Sequence, residues 1–227
     1  MSPGKIVWRN ERLLAVDKAA NVLTVPGRQG ERDGRPCLGR WLEAELGVRL
    51  WPVHRLDFEV AGLVVFACDA GAHRAASLAF EQRLVRKTYE GLTALPPAPP
   101  DPGSAWTWES QLVRGKRRSF AAPYGQWART RAVFVRRLES AVGLPGLEGV
   151  APPLGIWKLF PETGRPHQLR VHLAAAGFPL LGDPLYGGPP APSREGIALR
   201  SVSLVFPGAL SDELGVPSEL QVPGLFG

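Results

Sequence analysis

Cysteine, methionine and lysine are scarce in this chain. Only two cysteines and one methionine occur in 227 residues. Cys37 and Cys68 are far apart in apolar surroundings and make no CxxC pair. That argues against a zinc site or a disulfide framework, and for buried free thiols in a reducing compartment. Long apolar runs are missing as well. No segment approaches the length of a membrane-spanning helix. The opening residues, MSPGKIVWRNERLLAVDK, lack the apolar stretch and small-residue cleavage site of a signal peptide. A cytoplasmic location and no membrane partner are expected. Neither GxxxxGKS/T nor GxGxxG is present, which leaves nucleotide-cofactor chemistry without a foothold. His167 and His172 are five apart and no HExxH glutamate accompanies them, so neither metal nor cofactor is expected.

What is present is an ordinary globular composition, 44% hydrophobic and 21% charged, in a length that suits one domain. The formal net charge is +6, which points to a polyanionic partner. Only five of the 27 basic residues are lysines (5, 18, 87, 116 and 158), leaving 22 arginines. Arginine offers phosphate a planar fork and stacks on bases. A GC-rich genome produces the same skew together with abundant Ala, Gly and Pro, so composition alone does not decide the question.

The pattern predicts strands around 12–18, 63–67, 87–93, 106–113, 131–136, 156–160 and 197–206. A short amphipathic helix is expected from Leu38 to Glu45, ending at Gly47, and an Ala-rich helix over 72–83. Proline makes Leu95–Gly103 (LPPAPPDPG) a loop, and Leu144–Leu154 a second one. In Gly164–Gly177 (GRPHQLRVHLAAAG), Pro166 fits the first helical position and Gly177 the stop. Leu169, His172, Leu173 and Ala176 would form its buried stripe. His172 then reads as a core histidine with a satisfied hydrogen bond, and His167 as capping or positioning the helix start. Short strands interleaved with a few helices imply an α+β fold on a mostly antiparallel sheet.

Two clusters can carry chemistry: His54-Arg55-Leu56-Asp57, and Gly164 to Arg170. A carboxylate on a loop is a candidate nucleophile or base, and an arginine beside it would keep it ionised. A turn aspartate with a structural role fits the same pattern. Gly182–Gly188 (GDPLYGG) reads as a structural turn.

With these segments taken in order, the chain resembles the RluA-type family of RNA pseudouridine synthases. His54-Arg55-Leu56-Asp57 followed by Gly62–Ala67 resembles the family's HRLD…SGLLLFA signature. Arg165–Leu173 resembles its RxHQ(I/L)RVHL helix, and Gly182–Gly187 its GDxxYG turn. Weaker echoes are Arg86-Lys87-Thr88-Tyr89, Val25–Arg28, Gly125–Thr130 and the strand Leu199–Phe206. The chain departs from the family at Lys18-Ala19-Ala20-Asn21, where the family has KPxG, and at Val60-Ala61, where it has Thr-Ser, with Glu59 ahead of them. Residues 95–161 are hard to align.

The resemblance implies the pseudouridine-synthase fold, a mixed and mostly antiparallel sheet flanked by helices and loops. It implies isomerisation of uridine in tRNA or rRNA without a cofactor. Asp57 would be the catalytic carboxylate and Arg165 its ion-pair partner. Tyr89 would stack on the base and take part in proton abstraction. Attack on the base, attack on the sugar and base action at the sugar all fit this assignment. Because the uridine must be extruded from folded RNA, Arg55 would fill the vacated space or grip flanking phosphates. His54, His167, Gln168 and Arg170 would line the RNA site, and Leu199 or Ile197 the floor of the uracil pocket. One catalytic domain is expected over 1–227, with its core at about 10–207 and a loose tail at 208–227. The small N-terminal S4-like domain of some relatives is expected to be absent. RNA recognition would then fall to basic loops such as Arg28–Arg40 and Arg114–Arg118 of a monomer binding a stem-loop. Two alternatives stay open: an inactive RNA-binding module, and a glycosidase pairing Asp57 with Glu59 or Asp183.

Overall fold

A computed structural model describes residues 2–27, 30–139, 147–150, 153–191 and 194–225. Arg28 and residues 144–146 and 151–152 of the expected 144–154 loop lie outside them. The element order is β1 (Gly4–Arg9), β2 (Leu13–Lys18), α1 (Leu38–Leu46), β3 (Trp51–Pro52), β4 (Ala61–Ala67), α2 (Ala70–Glu81) and β5 (Arg86–Ala94). There follow β6 (Ala105–Arg114), β7 (Ser119–Ala121), β8 (Gln126–Leu138), β9 (Leu154–Pro161), α3 (Gln168–Ala175), β10 (Leu199–Val205), α4 (Gly208–Leu214) and β11 (Glu219–Gln221). The expected single domain is built as two compact units, one of residues 1–87 and 201–223, the other of 88–200 and 224–227.

In the first unit the strand order is β1-β2-β4-β10, with β3 on β4 and β11 on β10. Alternation along β2 sends Leu13 and Ala15 into a core shared with Leu63, Val65 and the α2 stripe Ala72, Ala76, Ala79. These alanines recur at helical spacing, so the helix can lie close on the sheet. Asp69 caps α2 by accepting the Ala72 N–H at 2.8 Å, as N-cap aspartates do. α1 ends at Gly47 in the left-handed conformation, the stop that its sequence predicts. Gly62 has φ 111, and a Cβ there would stand 2.6 Å from Ser201 N. Only glycine lets β10 approach β4 so closely.

The expected loose tail is a correction. Residues 208–221 form α4 and β11, and Leu210, Leu214, Val216, Leu220 and Val222 are buried in the first unit's core. Asn10 donates to Leu214 O at 2.8 Å and Arg12 to Glu213 O at 2.9 Å. The apolar residues there are widely spaced among Gly and Pro, so no period announces them.

The second unit pairs β5-β9-β8-β6-β7 antiparallel. Its centre is Trp157, fully buried, whose indole N–H donates to Thr93 Oγ1 at 2.8 Å. Trp106, Trp108, Phe134 and Phe178 pack around it with centroids 4.7–6.1 Å away, the spacing aromatic rings prefer. The 95–103 segment is loop, as its prolines require. α3 differs from expectation in two ways. Pro166 sits in a turn before the helix, and His167 (φ 55) occupies the N-cap without a side-chain cap bond. Residues 168–173 are buried all round while Ala176 is only half-buried, so there is no narrow stripe.

Leu214 is 1% exposed. Leu214→Ala should lower unfolding free energy by about 3 kcal/mol, measured by urea denaturation; a change below about 1 kcal/mol would restore the loose-tail reading.

Candidate active site

Asp57 sits in the 53–60 loop of the first unit, half-buried. The backbone on both sides of it is pinned. Thr24, buried, accepts the Leu56 N–H and donates to Leu56 O, both at 3.1 Å. Val60 N bonds Asp57 O at 3.2 Å, and Val22 N bonds Phe58 O at 3.2 Å. Lys18, with no exposed surface, donates to the carbonyls of Ala19 (2.9 Å), Val22 (2.7 Å) and Phe58 (3.4 Å). Burial lowers the Lys18 ammonium to about 8, against the attraction of Asp57 and then Glu59. It is still charged at neutral pH, and it places fixed positive charge behind the Asp57 carboxylate. The residue before the loop's anchor is instructive too. Asn21, at the family's glycine position, has φ 57, a conformation asparagine tolerates better than other side chains.

His54 is turned into the framework. Its Nε2 accepts the Val65 N–H at 3.2 Å, and its ring stacks on Phe80 at 4.5 Å. Burial, then the Lys87 charge, lowers it to about 3, so the imidazole is neutral and ties the loop to β4. Arg55 is exposed.

Tyr89, Arg165 and Leu199 belong to the second unit. Tyr89 is on β5 opposite Leu159, and Leu199 is buried at the start of β10. Arg165 lies just before α3. Its Nε donates to Trp127 O at 3.0 Å, and its backbone N–H to Gln168 Oε1 at 3.0 Å.

Gln168 and Arg170, expected at the RNA surface, are buried, which corrects that assignment. Gln168 Oε1 also accepts from Thr163 Oγ1 at 2.6 Å, while Nε2 donates to Arg129 O and Thr130 Oγ1 at 2.9 Å. Arg170 makes a bidentate pair with Asp183, both bonds 2.7 Å, with side chains 1% and 0% exposed. The Arg170 guanidinium also lies over the Tyr186 ring, 5.2 Å from its centroid. His167 is buried as well. Its Nε2 meets Arg114 Nη1 at 2.7 Å and its Nδ1 meets Tyr186 Oη at 2.9 Å. Because arginine only donates, Nε2 accepts and Nδ1 carries the proton. Tyr186 in turn bonds both the amide and the carbonyl of Ser119, at 2.9 and 3.0 Å. The GDPLYG turn is thus the structural partner of α3. His172 is bonded to Ser110 Oγ and Thr130 Oγ1, both at 2.9 Å, the satisfied core histidine expected.

Lys18 and Thr24 were not singled out from sequence as site residues, nor was the contact between Arg114 and His167, each of which was expected at the RNA surface. Lys18 carried a usable signal, since β2 alternation puts it on the face of Leu14 and Val16. The other two depend on contacts distant in sequence.

This fold has known counterparts. A human RNA pseudouridylate synthase domain containing 1 protein superposes with TM-score 0.71 over 98% of this chain and 84% of its own, at 24% identity. The RNA pseudouridylate synthase family model matches residues 12–175. The chain therefore belongs to that family of isomerases. A dual-specificity RNA pseudouridine synthase RluA of Vibrio vulnificus (strain CMCP6) is 29% identical over 89% of this chain and 77% of its own length. An uncharacterized RNA pseudouridine synthase of Bacillus subtilis (strain 168) is 29% identical over 92% of this chain, which spans 66% of that relative. Among the described residues no helix is long and apolar enough to cross a membrane.

Asp183→Asn should cost about 3–5 kcal/mol, because it leaves Arg170 charged, buried and without its counter-ion; urea titration checks this. A second expectation concerns pH. Burial lowers His172 to about 4 and His54, with Lys87, to about 3. Below pH 6.5 the unfolded chain protonates both rings and the folded chain does not, so stability falls as pH drops toward 4. The slope should be about 1.4 kcal/mol per pH unit for each histidine. Urea unfolding at pH 7, 6 and 5 should show this slope halved in His172→Asn.

Proposed function

We propose that this protein isomerises specific uridines of tRNA or rRNA stem-loops to pseudouridine, acting as a cytoplasmic monomer, with Asp57 as the catalytic carboxylate. The observation that carries the proposal is the presentation of Asp57 within the matched 12–175 region. Its flanking backbone is fixed by Thr24 and Lys18 while the residue itself is half-buried. The reaction breaks N1–C1′, turns the base over and joins C5 to C1′, and the C5 proton must leave. All atoms are conserved, so a positioned carboxylate and a proton acceptor meet its needs.

In this reading Arg165 pairs with Asp57 and keeps it ionised. Tyr89 stacks on the uracil and assists proton removal, Leu199 lies under the base, and Arg55 contacts the RNA around the extruded uridine. The Trp127 carbonyl supports the role given to Arg165, because it fixes the guanidinium through Nε. The words dual-specificity in the name of the Vibrio relative support testing more than one RNA. The glycosidase alternative loses one of its two candidate second acids. Asp183 is held by Arg170 with no exposed surface.

Incubation with uridine-containing tRNA and rRNA transcripts, followed by chemical mapping, should reveal pseudouridine with RNA length and mass unchanged. Asp57→Asn should lower the rate at least about a thousandfold, some 4 kcal/mol of barrier. Arg165→Glu should abolish turnover in a protein that keeps its circular dichroism spectrum. Equal product from wild type and Asp57→Asn would refute the carboxylate's role. Binding of RNA without product would favour the inactive module.

A further inference from the structure

Between Glu109 and Glu139 there is no acidic residue, yet the segment holds eight arginines and lysines. That exceeds the +6 of the entire chain, so the positive charge is concentrated in one stretch of the second unit. Two tight turns organise it. Gly115–Arg118 joins β6 to β7 and is closed by Gly115 N–H to Arg118 O at 2.9 Å, with Lys116 and Arg117 exposed at its tip. Ala122–Gly125 joins β7 to β8 and is closed by Gly125 N–H to Ala122 O at 2.9 Å.

The second turn is unusual. Ala121 and Gln126 both pair with Leu112 of β6, so the four-residue turn carries the chain from one edge of that strand to the other. At Gly125 it passes so near β6 that a Cβ would stand 2.6 Å from Leu112 N. The turn is therefore built tightly against the sheet, and it carries Tyr124, 77% exposed. Phe120 and Trp127 are 41% and 40% exposed. They pair with Val113 and Gln111, two residues apart on β6, and so share one face of the sheet. A shallow hollow lined by Gln111, Ala121, Ala122 and Pro123 lies on the same hairpin. Three large rings, one largely and two partly exposed, fall within eight residues alongside basic side chains.

We propose that this region is a stacking platform for unpaired nucleotides of the RNA substrate, outside the uracil pocket. Tyr124 and Phe120 take base faces, and Lys116 and Arg117 take the adjoining phosphates. Aromatic faces beside positive charge are the chemistry that binds single-stranded RNA without reading its sequence. A protein partner would call for a contiguous apolar patch, whereas basic residues and a glycine turn break this one up. The platform rests on the RNA-isomerase reading, and one contact links the two. Trp127, on the strand that follows the Tyr124 turn, holds Arg165 through its carbonyl. RNA docked on the hairpin thus lies along the strand that positions that arginine.

The test uses the full chain, a fluorescein-labelled tRNA-type stem-loop and a labelled oligouridine. The Phe120→Ala/Tyr124→Ala variant should bind both about tenfold or more weakly, with KM raised in parallel and kcat unchanged. Tyr124→Phe should restore binding, because stacking needs the ring and not the hydroxyl. Lys116→Ala/Arg117→Ala should weaken binding and make its salt dependence shallower. Unchanged Kd and KM in the double aromatic variant would overturn the proposal. So would self-association in sedimentation that the same variant abolishes, since the rings would then serve a protein contact. Ring-dependent RNA binding with no pseudouridine formed would support the platform while overturning the isomerase reading.

Discussion

The pair between Arg170 and Asp183 is removed from water almost completely, and the order of the second unit follows from that. Two charges taken out of solvent are tolerable only when their geometry is bidentate and their remaining groups are engaged. Here Arg170 fixes α3 against the 182–187 turn, and its guanidinium lies over Tyr186. Tyr186 then holds His167 and Ser119, and His167 holds Arg114. Gln168, on the same helix, uses both ends of its amide to tie Thr163 and Arg165 to the strand at Arg129 and Thr130. The residues that most resemble an RNA-contacting motif are in fact the interior brace of the turn that carries Arg165.

The first unit reaches the same end with less charge. One ammonium and one hydroxyl, from Lys18 and Thr24, occupy the backbone carbonyls and amide around Asp57. Rigid backbone with a half-buried carboxylate is what a positioned catalytic group requires. The chain keeps this arrangement although proline and glycine of the family pattern are replaced, because Asn21 adopts the left-handed conformation itself.

Much of this was legible in the sequence. The core strands, α1 with its Gly47 stop, the Ala-rich α2 and the proline loop all follow from local period and turn chemistry. The family followed from three motifs in order. β1 and α4 were missed because their apolar residues only make sense against partners far along the chain; Asn10 meets Leu214 across 204 positions. The roles of Gln168 and Arg170 were misread for a physical reason. Polar residues in a motif look like ligand contacts until their buried partners, Thr130 and Asp183, are known. His54 shows the reverse of surface reading: a histidine beside an arginine on a loop is here a neutral acceptor stacked on Phe80.

The chain route has a consequence for synthesis. The second unit is nearly contiguous, from 88 to 200, whereas the first needs residues 201–223. While the ribosome is still adding those residues, β1 to β4 and α2 lack Leu204, Phe206, Leu210, Leu214 and Val216. The half made first is therefore completed only near the end of synthesis. During that interval its apolar sheet face is exposed to chaperones and to neighbouring nascent chains, and it closes only when the C-terminal segment emerges.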